Sequence, residues 1–204
     1  MLLIGLTGSI GMGKSTVAAR LRALGLAVCD ADAEVHKLYA GAAVAPIEAA
    51  FPGTTVNGKV DREKLAQALL GKPEALRQLE AIVHPLVFEA ERTFLRNEAA
   101  KGAAMAVLEI PLLLETGGER RVDVVIVVSA PAEAQRARVM QRPGMTPEKL
   151  DQLLARQMPD AQKRSKADFV VDTGGSFAET DAQVDKIVES LQGRPGTAYA
   201  EYWA

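Results

Sequence analysis

The residues best placed to do chemistry stand near the start of the chain, in Gly8-Ser-Ile-Gly-Met-Gly13-Lys14-Ser15-Thr16. They fit a spacing of Gly, four residues, Gly, Lys, then Ser or Thr. Glycines at 8, 11 and 13 permit backbone angles that residues with a Cβ resist, so successive N–H groups can close around an anion. A helix beginning at Ser15 would add its positive end to the same spot. Lys14 could then reach β- and γ-phosphates, and the Ser15 hydroxyl could ligand Mg²⁺. A glycine-rich turn with an unrelated lysine is the plainer alternative. The complete pattern in the right frame argues for a nucleoside-triphosphate site.

Two further groups stand out. Asp30-Ala-Asp32 follows a short apolar run, Leu26 to Cys29, and would lie at the carboxyl end of a strand, where open parallel sheets bind ligands. One aspartate can cap the helix that begins there while the other works on a substrate. Between Arg136 and Lys166 stand eight basic residues: Arg136, Arg138, Arg142, Lys149, Arg156, Lys163, Arg164 and Lys166. They face three acidic ones, Glu148, Asp151 and Asp160. Arg138 and Arg142, four apart, would share a helix face. A solvated basic surface is the ordinary reading of such a run. After a strand of a phosphate-loop protein, the expectation is a helical lid whose arginines close over a triphosphate.

These groups need elements to hold them. Leu2 to Leu6 is an apolar run of buried-strand type. Ser15 to Leu24 has helical spacing, with Val17, Leu21 and Leu24 on one side and Gly25 as the C-terminal cap. From Ala33 to about Lys101 the pattern is almost entirely helical, interrupted by the turn-rich Phe51 to Gly58. Asp61 is expected to cap a helix over Arg62–Leu70 that Gly71 stops, and Pro73 to start the next. Pro85 is expected to break or kink that helix and to push His84 out of helical geometry. Further strands are read at Met105–Ile110, Val122–Val128 and Phe169–Val171. Pro131 opens one helix, and a capping box, Ser176 with Glu179, opens the last. The tail from Gly193 reads as frayed. The expectation is an α/β protein with a three-layer α/β/α phosphate-loop NTPase fold and a five-stranded parallel sheet. Its nucleotide-binding core comprises residues 1–32, 102–135 and 167–192, with a helical insertion at 33–101 and the lid at 136–166.

Composition limits the alternatives. A chain of 204 residues suits one α/β unit with an insertion. Apolar residues at 48% allow a sizeable core, and a net charge of −2 offers no general attraction to nucleic acid or membranes. The single Cys29 cannot form an internal disulfide, which suits a reducing, cytoplasmic compartment. No apolar run reaches the roughly 18 residues of a membrane span, and the first strand begins too early for a signal peptide.

The chain resembles the dephospho-CoA kinases over nearly its whole length. The resemblance rests on Gly5-Leu-Thr-Gly-Ser-Ile-Gly-Met-Gly-Lys-Ser15, Asp30-Ala-Asp32, His84-Pro85 and Pro111-Leu-Leu-Leu-Glu115. It continues through Gln135 with Arg138 and Arg142, then Gln157, Ala167-Asp168 and Asp172. Ser9 and Met12 replace residues often Gly and Ser, and Asp172-Thr173-Gly174 stands where Asp-Asn is common. The resemblance implies ATP-dependent phosphorylation of the ribose 3′-hydroxyl of dephospho-CoA. It implies Lys14, Asp32 and Arg138 as catalytic residues, and ATP on Gly11, Met12, Gly13, Lys14, Ser15, Thr16 and Arg142. The acceptor would be held by Asp32, His84, Pro111, Leu112, Leu114 and Glu115 in and beside a CoA-binding insertion. Mg²⁺ would sit on Ser15, with Asp30 either holding a metal-bound water or capping its helix. The partners are then two small molecules, ATP and dephospho-CoA, with no nucleic acid or membrane, in a monomer or weak homo-oligomer. Another small phosphate-loop kinase, for nucleoside monophosphates, would share loop, lid and fold. A GTPase switch would need Asn-Lys-x-Asp, which is absent.

Overall fold

The strand that leads into the glycine loop is the centre of the sheet. In the computed structural model, which describes residues 1–204, β1 (Leu2–Thr7) is buried along its whole length. It pairs in parallel with β5 (Met105–Glu109) on one side and β6 (Val124–Ser129) on the other, in registers that set Leu6 opposite Glu109 and Ile126. With β2 (Ala27–Asp30) and β7 (Phe169–Asp172) the order is β2-β5-β1-β6-β7, a five-stranded parallel sheet. The strands read as continuous apolar runs because both faces are covered.

The two faces can be told apart by the period of two along each strand. Ile4, Leu6, Ile126 and Val128 pack with Val17, Ala18 and Leu21 of α1 (Lys14–Ala23) and Val184, Ile187 and Leu191 of α9 (Phe177–Leu191). Val125 and Val127 point the other way, to Leu113, Leu114 and Met158. Leu24, expected on the buried side of α1, is exposed, because the helix ends at Ala23. The stop is a Schellman motif: the Gly25 amide (φ 85°) donates to Arg22 and the Leu26 amide to Leu21. The Ser176–Glu179 capping box is present on α9. Pro131 is the N-cap of α6 (Ala132–Met140), followed by α7 (Pro147–Leu154) and α8 (Asp160–Ser165).

By contact density the chain divides into Met1–Cys29 with Leu95–Ala204, and Asp30–Phe94. The second unit holds α2 (Ala31–Leu38), α3 (Val44–Ala50), α4 (Arg62–Leu69) and most of α5 (Pro73–Ala100), around Ile47, Phe51, Leu65, Leu79 and Val83. It departs from the sequence expectation twice. The turn-rich stretch contains a hairpin, β3 (Thr55–Val56) with β4 (Lys59–Val60), closed by Asn57 and Gly58, both at positive φ. An Asn-Gly pair is the strongest short-range hairpin signal. The second departure is Pro85, which lies inside an uninterrupted 28-residue helix, with His84 helical beside it. Leu79 and Val83 before the proline and Leu86 and Val87 after it all pack in the same core. That burial outweighs the one N–H that proline lacks, and its ring is exposed.

Two more expectations yield to long-range contacts. The strand expected from Val122 starts at Val124 and is preceded by Asp123, which is not apolar. Asp123 accepts from the amides of Leu3, Thr197 and Ala198, and so ties the C-terminal tail to β1. That tail, expected to fray, ends in a π-helical turn, Tyr199–Trp203. Trp203 is 1% exposed and donates from Nε1 to the Arg121 carbonyl.

Candidate active site

Between β1 and α1 the backbone bends at Gly11 (φ 77°) and Gly13 (φ 88°). Gly8, expected to need the same freedom, does not sit at positive φ. It is glycine for space, since a Cβ there would stand 2.7 Å from the Val128 carbonyl oxygen. The amides of Gly11, Gly13, Lys14 and Ser15 donate to no protein acceptor, whereas those of Ile10, Met12 and Thr16 are taken. Four unspent N–H groups at the start of a helix form an anion cradle. Ser15 is exposed at its rim.

The back of the loop is held by side chains from far along the sequence. Gln135 donates from Nε2 to the Ile10 carbonyl at 2.8 Å, and Gln157 Oε1 accepts from the Ile10 amide at 3.1 Å. The Thr173 hydroxyl donates to the Met12 carbonyl at 2.7 Å. Arg138 donates to the Thr173 hydroxyl and carbonyl, at 3.0 and 2.5 Å, and reaches the Gly11 carbonyl at 3.5 Å. Arg138 thus lies against the loop. Arg142 does not share its helix face, because α6 ends at Met140 and Arg142 is exposed in the following turn.

Lys14 is paired with Glu109, Nζ to Oε1 at 2.6 Å, and the other carboxylate oxygen stands 3.3 Å from Arg22. Glu109 is 3% exposed at the end of β5, a position the sequence reading left as an ordinary strand residue. A charge ending an apolar strand beside the loop strand was the available signal.

After β5, the Pro111 carbonyl accepts from the Thr7 hydroxyl at 3.0 Å. Leu112 is 40% exposed, whereas Leu114 is buried at 4%. Glu115 Oε1 accepts from the Met158 amide and from Lys163 Nζ, both at 2.8 Å, and its Oε2 is buried without a partner. Lys163 is fully buried, so it is no part of a solvated basic surface. Asp168, too, is structural: its Oδ2 accepts from the Val125 amide and clips β7 to β6. Farther along this side a cavity of about 320 Å³ is lined by Ser129, Pro131, Asp160, Arg164, Val170 and Asp172.

The remaining residues singled out from the sequence lie in the Asp30–Phe94 unit. Asp30 caps α2, its Oδ1 accepting from the Ala33 amide at 3.1 Å. Asp32 is exposed in the first turn of α2, and its carbonyl lies 2.7 Å from His36 Nδ1. His84 is exposed on α5. No three His, Cys, Asp or Glu side chains group closely enough to hold a metal by themselves. No helix is long and apolar enough to cross a membrane.

The strand order, the loop between β1 and α1, and the lysine at its end define a phosphate-loop kinase. The family description "Dephospho-CoA kinase" fits residues 2–179. A dephospho-CoA kinase of Brucella melitensis is 56% identical over 198 residues, covering 97% of this chain and 99% of its own. A solved Thermus thermophilus structure superposes with a TM-score of 0.81 at 38% identity, covering 94% of this chain and 97% of that one. The dephospho-CoA kinase of Campylobacter jejuni gives 0.69 at 28%, covering 93% and 96%. The chain belongs to the dephospho-CoA kinase family, which makes it an ATP-dependent small-molecule phosphotransferase of coenzyme A synthesis.

Proposed function

We propose that the phosphate loop, Arg138 and Asp32 divide between them the transfer of the ATP γ-phosphate to the ribose 3′-hydroxyl of dephospho-CoA, the last step of coenzyme A synthesis. The observation that carries this is the row of unspent amides at Gly11, Gly13, Lys14 and Ser15, with Lys14 at the helix start. Phosphoryl transfer passes through a loose transition state and asks mainly for positioning and charge neutralisation. Gly11, Met12, Gly13, Lys14, Ser15 and Thr16 hold the triphosphate, and the Lys14 ammonium exchanges Glu109 for phosphate oxygens. Arg138 faces the loop from behind, and Arg142 closes from the 136–166 segment as a lid.

Asp32 accepts a hydrogen bond from the 3′-hydroxyl. A carboxylate is too weak a base to remove a ribose proton before transfer begins, so Asp32 orients the nucleophile and takes its proton late. His84, Pro111 and the exposed Leu112 hold the acceptor, with Leu114 and Glu115 supporting that segment from below. Residues 33–101 form the CoA-binding insertion.

The donor set fits Mg²⁺. With no protein cage, the ion would be shared between the Ser15 hydroxyl, substrate oxygens and water, the usual manner for magnesium. Bound there, it neutralises charge developing on the phosphoryl oxygens. Asp30, whose Oδ1 is spent on its cap, is left with one oxygen for a metal-bound water. The use of ATP and a lone cysteine, with which no internal disulfide can form, support a cytoplasmic enzyme, which acts as a monomer or weak homo-oligomer.

A coupled assay with ATP against dephospho-CoA, AMP and CMP, with and without Mg²⁺, tests the reading. Saturable turnover is expected with dephospho-CoA and Mg²⁺ alone. Asp32→Asn should bind ATP normally and lose most turnover. Turnover only with a nucleoside monophosphate, or parent-like turnover in Asp32→Asn, would overturn it.

A further inference from the structure

The peptide unit explains why residues remote from the loop grip its carbonyls. A peptide is planar and trans, so its C=O and N–H point in opposite directions. No cis peptide occurs in this chain. The Ile10 carbonyl and the Gly11 amide belong to one such unit, and the Met12 carbonyl and the Gly13 amide to another. In each, the N–H is unspent and the C=O is held from outside the loop, by Gln135 Nε2 at 2.8 Å and by Thr173 Oγ1 at 2.7 Å.

Both donors are themselves fixed. Gln135 is 7% exposed and Thr173 5% exposed. Thr173 accepts from Arg138 Nη1 at 3.0 Å, which leaves its one hydroxyl proton for carbonyl acceptors. Gln157 takes the Ile10 amide, so the preceding peptide, Ser9–Ile10, is anchored as well. A glycine peptide has little intrinsic preference and would otherwise rotate freely.

From this we infer that Gln135 and Thr173 are positioning residues for the nucleotide: by holding the carbonyl end of two peptides they aim the Gly11 and Gly13 N–H groups at the triphosphate. The loop arrives preorganised, so ATP binding need not order it.

The inference rests on the phosphate loop as the triphosphate cradle, and Lys14→Met tests that separately. If Lys14→Met leaves both kcat and the KM for ATP unchanged, the cradle reading falls. With that reading standing, Thr173→Val keeps shape and removes the donor. It should raise the KM for ATP about tenfold, the scale of one directed hydrogen bond, and leave the KM for dephospho-CoA within about twofold. Thr173→Ser restores the hydroxyl and should return the KM for ATP to within about twofold of the parent. At the second site Gln135→Glu swaps a donor for acceptors against a carbonyl and should raise the KM for ATP at least as far. Melting temperatures separate these effects from loss of fold. A parent-like KM for ATP in both Thr173→Val and Gln135→Glu would sink the inference. So would proportional rises for both substrates, or a Thr173→Ser no better than Thr173→Val.

Discussion

Lys14 and Glu109 form a short ion pair, 2.6 Å from Nζ to Oε1, at the carboxyl ends of two neighbouring strands. The carboxylate is almost wholly buried and also faces Arg22. On the proposed function, it would fix where the Lys14 ammonium waits before phosphate arrives. Glu109→Gln keeps the volume and removes the charge, and is expected to lower kcat about tenfold, the loss of one charge-assisted hydrogen bond. Lys14→Met should cost about 10²–10³ in kcat, as for removal of one transition-state donor. Steady-state kinetics with both substrates saturating would check both, and a Glu109→Gln enzyme at parental kcat would refute a role for the pair.

The Lys163–Glu115 pair makes a different prediction, about stability. Removing one partner of a buried pair strands the other, so Lys163→Met should destabilise by about 3–5 kcal/mol. Replacing both, with Lys163→Met and Glu115→Leu together, should recover most of that loss. Urea unfolding of the two single variants and the double variant gives the answer, and strict additivity would count against the pair.

Acid dependence should appear at Glu48. The Gly53 amide, then the Thr55 hydroxyl and amide, hold its carboxyl below the ordinary value of 4.5. A depressed folded value means that the stabilisation is complete above the ordinary value and is lost as pH falls past it to the folded one. Unfolding followed from pH 7 downward should therefore show parent and Glu48→Gln converging through that acid range. A gap that stays constant with pH would contradict the carboxylate's part in holding the connection between α3 and β3.

At the C-terminus, Trp203→Ala should cost about 3–5 kcal/mol, the range for emptying a buried aromatic site. Asp123→Ala should also destabilise, because three backbone amides lose their acceptor. Thermal melts would register both, and unchanged melting in Trp203→Ala would mean that the tail is not docked in solution.

What the sequence made legible was local. The phosphate loop, the Gly25 stop and the Ser176–Glu179 box each depend on residues within a few positions, where type and spacing suffice. Gln135, Gln157 and Thr173 act on Ile10 and Met12 across more than a hundred residues, and no pattern in the chain announces such a pairing. Glu109 carried a faint signal as a charge ending an apolar run. Lys163 stands in the basic run read as a lid, and nothing in that run marks it as buried against Glu115. Pro85 misled: the local rule was sound, and packing on both sides overrode it. The Asn57-Gly58 hairpin carries its own local signal, which the helical pattern on either side obscures.

The place of β1 in the sheet also bears on how the protein is made. The central strand is made well before both of its partners, which begin at Met105 and Val124. At roughly 5–20 residues per second of synthesis, β1 stays unpaired for several seconds, an exposed apolar edge on a growing chain. The Asp30–Phe94 unit, built largely from sequence-local helices and one hairpin, emerges complete in that interval. At that stage of synthesis β1 is present and its two neighbours are still to come. The glycine loop takes its final shape only when Gln135, Gln157 and Thr173 have been synthesised behind it.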